Sequence, residues 1–99
     1  MRLKYRKRAW LNGPGEGDAY ISGTIKAQKT YIDGRGNTHD GYVDAVLSIA
    51  DCSRIVTLDF DVYEKAEAQT RLKKIDLMLD FLTKYRDVLA TNAQEVFSD

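Results

Sequence analysis

The last third of this chain predicts one long amphipathic helix, and that helix is the strongest constraint on the fold. Asp61 followed three residues later by Glu64 resembles a capping box, in which the first side chain accepts from free backbone amides and the second reaches back. We therefore predict a helix over residues 62–90, with a frayed tail over residues 91–99. Its apolar side must pack against another surface.

Most apolar residues of the predicted helix fall in one arc when the chain is stepped at about 100° per residue. This core stripe consists of Ala68, Leu72, Ile75, Leu79, Leu82 and Leu89, flanked by Met78 and Tyr85. Leu77, Phe81 and Val88 lie outside the core stripe and widen the apolar arc, so they would be exposed in a monomer. We expect these three residues to contact a second copy of the chain or another protein.

Arg86 lies at the centre of the core stripe, where an unpaired charge would be costly. About thirty helical residues span ~45 Å, whereas strands of ten residues span ~33 Å, so the last helical turns would overhang the sheet. We favour this explanation. The alternative is that Arg86 reaches a carboxylate on a partner.

The first sixty residues alternate between apolar and polar side chains with the period of two that predicts strands. We predict four strands near residues 2–11, 18–32, 41–50 and 53–61. Turn residues separate them at 12–17, 33–37 and 51–53. The predicted fold is α+β: a four-stranded antiparallel β-meander over residues 2–61, packed on one long C-terminal helix, in a single domain over residues 1–99. We expect its core to contain Leu47, Leu58, Phe60, Leu72, Ile75 and Leu79.

The other face of the predicted sheet separates its charges. The first strand places Arg2, Lys4, Arg6, Arg8 and Trp10 on this face, and the second strand adds Tyr20 and Lys26. The third and fourth strands contribute Asp44, Asp59 and Asp61, together with Tyr42, Val46 and Ile55. The formal net charge of zero therefore hides a basic strand and an acidic one.

The basic first strand has three interpretations. Cations interleaved with aromatic rings are typical of surfaces that bind single-stranded nucleic acid. Lysine and arginine also protect an edge strand from pairing with other chains, and we favour this role. In the third interpretation, the basic and acidic strands meet through sheet curling or across a symmetric dimer. The order of four strands and then a helix is similar to that of single-stranded-DNA-binding modules of the Whirly type, although the chain contains no motif of that family.

No group of residues predicts catalysis, a metal site or a bound cofactor. One turn combines Asp33, Asn37, His39 and Asp40, but their spacing is not that of a calcium loop, and a hairpin turn explains them better. The glycine-rich residues 13–17 lack the Lys-Ser/Thr pair of a phosphate-binding loop. Cys52 and His39 fall in different predicted turns. We therefore expect a protein that is not an enzyme.

Two functions from different classes remain open. The leading hypothesis is a small non-catalytic protein-interaction module, an inhibitor or regulator that binds a larger protein through its open sheet face, its edge strand or the second helix stripe. Its interface would comprise Leu77, Phe81, Val88, Tyr42, Val46 and Ile55. We also expect a homodimer. The alternative is a single-stranded nucleic-acid- or nucleotide-binding module that uses Arg2, Lys4, Arg6, Arg8, Trp10, Tyr20 and Lys26. One cysteine and no long apolar run favour a cytoplasmic protein without a membrane partner.

Overall fold

A computed structural model describes residues 2–13 and 17–98 of the 99-residue chain, with residues 2–4 described for their backbone only. The described chain forms strands β1 (Arg2–Trp10), β2 (Ala19–Gln28), β3 (Tyr31–Ile32), β4 (Thr38–His39), β5 (Tyr42–Asp51) and β6 (Arg54–Asp59), then helix α1 (Lys65–Phe97). This confirms the predicted α+β class, with a four-stranded antiparallel sheet and one long C-terminal helix.

Contacts along the chain divide it into two compact units, one ending at Glu67 and the other beginning at Ala68. The first unit contains the six strands and the start of α1, and the second contains the rest of the helix. We describe each unit by itself, and the single domain over residues 1–99 stays a prediction.

The main sheet is a meander in which the strands lie in the order β1-β2-β5-β6. Its register places Tyr5 beside Ile25 and Ile25 beside Ala45, while Leu47 lies beside Leu58. Because side chains alternate between the faces of a strand, these residues of all four strands share one face, which carries most of the aliphatic side chains of the sheet. The predicted alternation is therefore confirmed, and so is the antiparallel pairing.

The predicted second strand over residues 18–32 is interrupted, since β2 ends at Gln28 and a separate small hairpin follows. The interruption coincides with a close approach between Thr30 and Gly41, in which the Gly41 amide donates to Thr30 Oγ1 at 2.8 Å. A Cβ atom on Gly41 would lie 2.9 Å from the Gln28 carbonyl oxygen and 2.9 Å from the Thr30 nitrogen. Only glycine fits this crossing without a backbone shift.

The small hairpin of β3 and β4 is held by its own turn. Asp33 Oδ1 accepts from the backbone amides of Arg35 (2.8 Å) and Asn37 (3.0 Å), and Gly36 adopts a left-handed φ of 82°. The ring of Tyr31 stacks on that of His39 across the two strands, with centroids 4.6 Å apart. The hairpin turn predicted at residues 33–37 is therefore confirmed.

Helix α1 begins later and ends later than predicted. The Asp61 carboxylate does not cap the helix, because its Oδ1 accepts from the Ala45 amide at 2.7 Å within the sheet unit. Glu67 instead accepts from the amides of Tyr63 (3.1 Å) and Glu64 (2.9 Å), and the helix begins at Lys65. The frayed tail predicted from residue 91 is wrong: the helix continues to Phe97, since no glycine or proline follows residue 90 to stop it.

The core of the described residues is small. Ala19, Ala50 and Phe60 are its buried apolar residues. Phe60, 6% exposed, confirms one predicted core position, and Leu47 and Leu58 are half-buried. The predicted core residues of the helix are exposed, with Leu72 at 57%, Ile75 at 37% and Leu79 at 59%. Helix α1, described along its whole length, has no buried residue, so its core stripe is an apolar surface open to solvent.

Candidate interaction surfaces

Helix α1 carries a second apolar surface on the side turned away from the core stripe, so its residues do not widen that stripe as expected. We call it the outer stripe, and it consists of Leu77, Phe81 and Val88, which are 61–68% exposed. Phe81 stacks on Tyr85 one turn later, with ring centroids 6.4 Å apart and planes inclined by 15°. The predicted exposure of these three residues is therefore confirmed. Apolar patches of this kind are typical of interaction sites.

The core stripe extends beyond the predicted helix end. Val96 and Phe97 continue it through the last helical turn and are largely exposed. Sequence reasoning missed them because it ended the helix at residue 90. The signal was the lack of any helix-stopping residue between Ala90 and Phe97.

A basic and aromatic cluster lies at the end of β1, on the sheet face opposite the apolar one. Trp10 pairs with Tyr20 in the strand register, and their rings meet edge to face at a centroid distance of 5.7 Å. The guanidinium carbon of Arg8 lies 4.3 Å from the Tyr20 ring centroid and 5.9 Å from that of Trp10. Trp10 is 63% exposed, so the cluster presents an open aromatic surface next to a cation.

The remaining residues of the predicted nucleic-acid surface are spread along β1 and β2. Arg6 is exposed and pairs with Thr24 in the register, and Lys26 is exposed and lies between Lys4 of β1 and Asp44 of β5. The backbone positions of Arg2 and Lys4 belong to β1, whereas their side chains lie outside the described part of the chain. The structure thus brings Arg8, Trp10 and Tyr20 together.

Acidic residues gather on the same face at the other side of the sheet. The Tyr63 hydroxyl donates to Asp61 Oδ2 at 3.2 Å and to Asp44 Oδ1 at 3.3 Å, sharing its single proton between the two. The hydrogen bond to Asp61, together with the negative charge, raises the pKa of Tyr63 to about 12. Strands β1 and β6 lie at opposite edges of the sheet and do not meet within it, whereas Lys26 of β2 and Asp44 of β5 are register neighbours.

The sheet residues proposed for a protein interface differ in exposure. Ile55 is largely exposed, whereas Tyr42 and Val46 are half-buried. Tyr42 lines an open cavity of about 540 Å³, together with Val43, Val62 and Tyr63. This cavity is the site on the sheet unit where an apolar side chain of another molecule would fit.

The turn residues that could carry chemistry serve the fold instead. Both Asp33 oxygens accept hydrogen bonds, with His39 Nε2 at 2.9 Å from Oδ2, and this bond is the main cause of a lowered Asp33 pKa. Cys52 lies in the turn after β5, and that strand separates it from His39 by roughly 30 Å. The described residues contain no group of three or more side chains placed to hold a metal ion.

Comparisons with protein-family models, with curated proteins and with solved structures find no match to this chain. In the part of the chain that the structure describes, no helix has both the length and the apolarity needed to cross a membrane. The surfaces described above are therefore the basis for a functional proposal.

Proposed function

We propose that this protein is a small non-catalytic protein-interaction module whose outer stripe binds another protein as an inhibitor or regulator. The observation that supports this most is the exposure of Leu77, Phe81 and Val88 on a 33-residue helix without a buried residue. Helices in proteins gain most of their stability from packing of an apolar face against another surface. An amphipathic helix that docks into a groove of a partner is a common recognition mode, and its contacts recur at such helical spacings.

The roles of the polar residues support a non-catalytic function. The carboxylates of Asp33 and Asp61 accept backbone amides, and Glu67 caps the helix, so these groups stabilise turns and strand ends. A general acid or base needs a cleft that shifts its pKa toward the working pH. We also propose a cytoplasmic location, which suits the single exposed and unpaired Cys52.

Site-specific photo-crosslinking tests the proposal. A photoreactive amino acid at position 81 should give a discrete adduct with one other protein in cells that express the chain. The same group at position 73 provides a matched control, because Lys73 is exposed on the charged side of the same helix. Val88→Glu should remove the adduct at position 81. Identical adduct patterns at positions 81 and 73 would contradict the proposal.

A second candidate function is single-stranded nucleic-acid binding, and the Arg8–Trp10–Tyr20 cluster is the observation that favours it. Bases stack on exposed aromatic rings, and guanidinium groups pair with phosphates, so this cluster has the parts of a small stacking site. Trp10 is the single tryptophan of the chain, and its fluorescence therefore reports directly on binding there. Quenching by an oligonucleotide that weakens with added salt would support this function.

A further inference from the structure

The core stripe of α1, extended here by Arg86, Ala93 and Val96, follows the seven-residue repeat of a coiled coil. Its positions are Ala68, Leu72, Ile75, Leu79, Leu82, Arg86, Leu89, Ala93 and Val96, which alternate in spacings of four and three. All except Arg86 are apolar. This spacing repeats every 3.5 residues on average, which is the period that keeps one seam facing a partner helix. The repeat covers about four heptads, enough to specify a coiled coil.

We infer that α1 pairs with α1 of a second copy of this chain, in antiparallel orientation, through the core stripe. The inference shares with the proposed function only the premise that α1 is an interaction surface, because it uses a different stripe of the helix. A coiled-coil seam is self-complementary, since the residues of one helix fit between the equivalent residues of the other. Leu72, Leu79, Leu82 and Leu89 are each more than half exposed and free to form it.

The length of α1 and the few charges beside the core stripe are compatible with pairing between two copies of the chain. Helix α1 has 33 residues and is therefore ~50 Å long, which lets two copies approach the interface size of on the order of 800 Å² per partner. The positions beside the seam carry few charges, chiefly Arg71 and Asp76. Lys73, Asp80 and Lys84 lie on the opposite side of the helix. Two copies can therefore meet without extended like-charge repulsion.

Arg86 sets the orientation. In a parallel pair, each seam residue faces the same residue of the second copy, so Arg86 would face Arg86. In the antiparallel register that overlaps nearly the whole of both helices, Leu79 faces Leu82 and Arg86 faces Ile75 of the second copy. Asp76 of the second copy then lies beside Arg86, and the two opposite charges can pair. In the single chain Arg86 pairs with its neighbour Asp87 at 3.1 Å, with both side chains largely exposed.

A charge swap tests both association and orientation. Sedimentation velocity of the purified full chain should show a dimer of twice the 11.2 kDa chain mass. Arg86→Asp and Asp76→Arg should each weaken dimerisation by roughly tenfold, because each places like charges together. The double variant should return to within about threefold of the unmodified chain, because it restores the opposite charges. Asp80→Arg with Lys84→Asp reverses a pair on the opposite side of the helix and should change nothing.

The outcomes decide between the arrangements. A monomer at all concentrations would overturn the inference, and so would single variants that dimerise normally. A double variant as weak as the single ones would also overturn it, because a parallel pair would place Arg71 against the new arginine at position 76. Cross-linking from position 81 to a different protein is measured separately, so failure of this dimer and failure of the proposed function are distinguishable.

Discussion

Gly41→Ala should destabilise the sheet unit, because the backbone at Gly41 lies so near Gln28 and Thr30 that it leaves no room for a Cβ atom. The added methyl group would lie 2.9 Å from the Gln28 carbonyl oxygen and from the Thr30 nitrogen, and 3.2 Å from Thr30 Oγ1. These are mostly backbone atoms, so relief requires a shift of the chain, which also lengthens the 2.8 Å hydrogen bond from the Gly41 amide. Overpacking costs ~1–3 kcal/mol and the hydrogen bond ~0.5–1.5 kcal/mol. We therefore expect the free energy of unfolding to fall by ~2–4 kcal/mol.

Urea unfolding followed by Trp10 fluorescence, at one fixed chain concentration, measures this change. With a slope of ~1–3 kcal/mol per molar urea, the midpoint should fall by roughly 1–3 M. Gly34→Ala is a matched control, because a Cβ atom there meets nothing within 4 Å, and its midpoint should be unchanged or slightly raised. Equal midpoints for Gly41→Ala and the unmodified chain would refute the close approach between Thr30 and Gly41.

Three further predictions follow from single contacts. Cys52 has a left-handed φ of 57°; relief of this strain less the entropic cost of glycine means that Cys52→Gly should raise the free energy of unfolding by ~0.5–1 kcal/mol in urea titrations, whereas Cys52→Ala should not. The hydrogen bond to Asp61 raises the pKa of Tyr63 from 10.0 to about 12, so its stabilising effect is complete below pH 10 and lost as the pH rises through 12. Between pH 10 and pH 12, the urea midpoint of Tyr63→Phe should therefore fall less than that of the unmodified chain. We expect no oligonucleotide binding at physiological salt by tryptophan fluorescence; micromolar binding that Arg8→Ala abolishes and Arg54→Ala preserves would contradict this.

The sheet was predictable because its signals are local. Alternation of apolar and polar residues identifies the faces of the strands, and it gives the same face for Tyr5, Ile25 and Ala45 that the observed register gives. The turn over residues 33–37 was also predictable, since a single side chain, that of Asp33, accepts the amides of its own turn. Short-range chemistry of this kind needs no knowledge of the rest of the fold.

The helix start was not predictable from local signals. Asp61 and Glu64 have the spacing of a capping box, but the Asp61 carboxylate is used by the amide of Ala45, sixteen residues earlier in the chain. A contact of this sequence separation cannot be recognised from local spacing, because it joins the carboxylate to the amide of another strand. The cap then shifts to Glu67, which accepts two amides.

The sequence predicted which residues form the apolar stripes of α1, but not what packs against these stripes. Amphipathic spacing correctly identified two apolar stripes on α1, yet spacing alone does not show what covers a stripe. Leu72 and Leu79, which were expected in the core, are exposed along α1. In the sheet, the register brought Arg8 and Trp10 to the same face as Tyr20, and the ring contacts followed from that pairing.

The affinity of the Arg8–Trp10–Tyr20 cluster for single-stranded nucleic acid is limited by its charges and contacts. Strand β6 lies three strand spacings from β1, roughly 14 Å, which exceeds the Debye length of about 8 Å at physiological salt, so Asp59 repels phosphates near Arg6 only weakly. The limit is instead the small number of contacts. Three described cations on this face, Arg6, Arg8 and Lys26, give a log–log salt slope near −2.1, at about −0.7 each. Stacking of two bases on Trp10 and Tyr20 adds ~2–6 kcal/mol, which by itself, without the phosphate contacts, corresponds to a Kd no lower than roughly 40 μM. A cluster of this size on one chain is therefore too small for tight binding, and it becomes a nucleic-acid surface only if further cations join it.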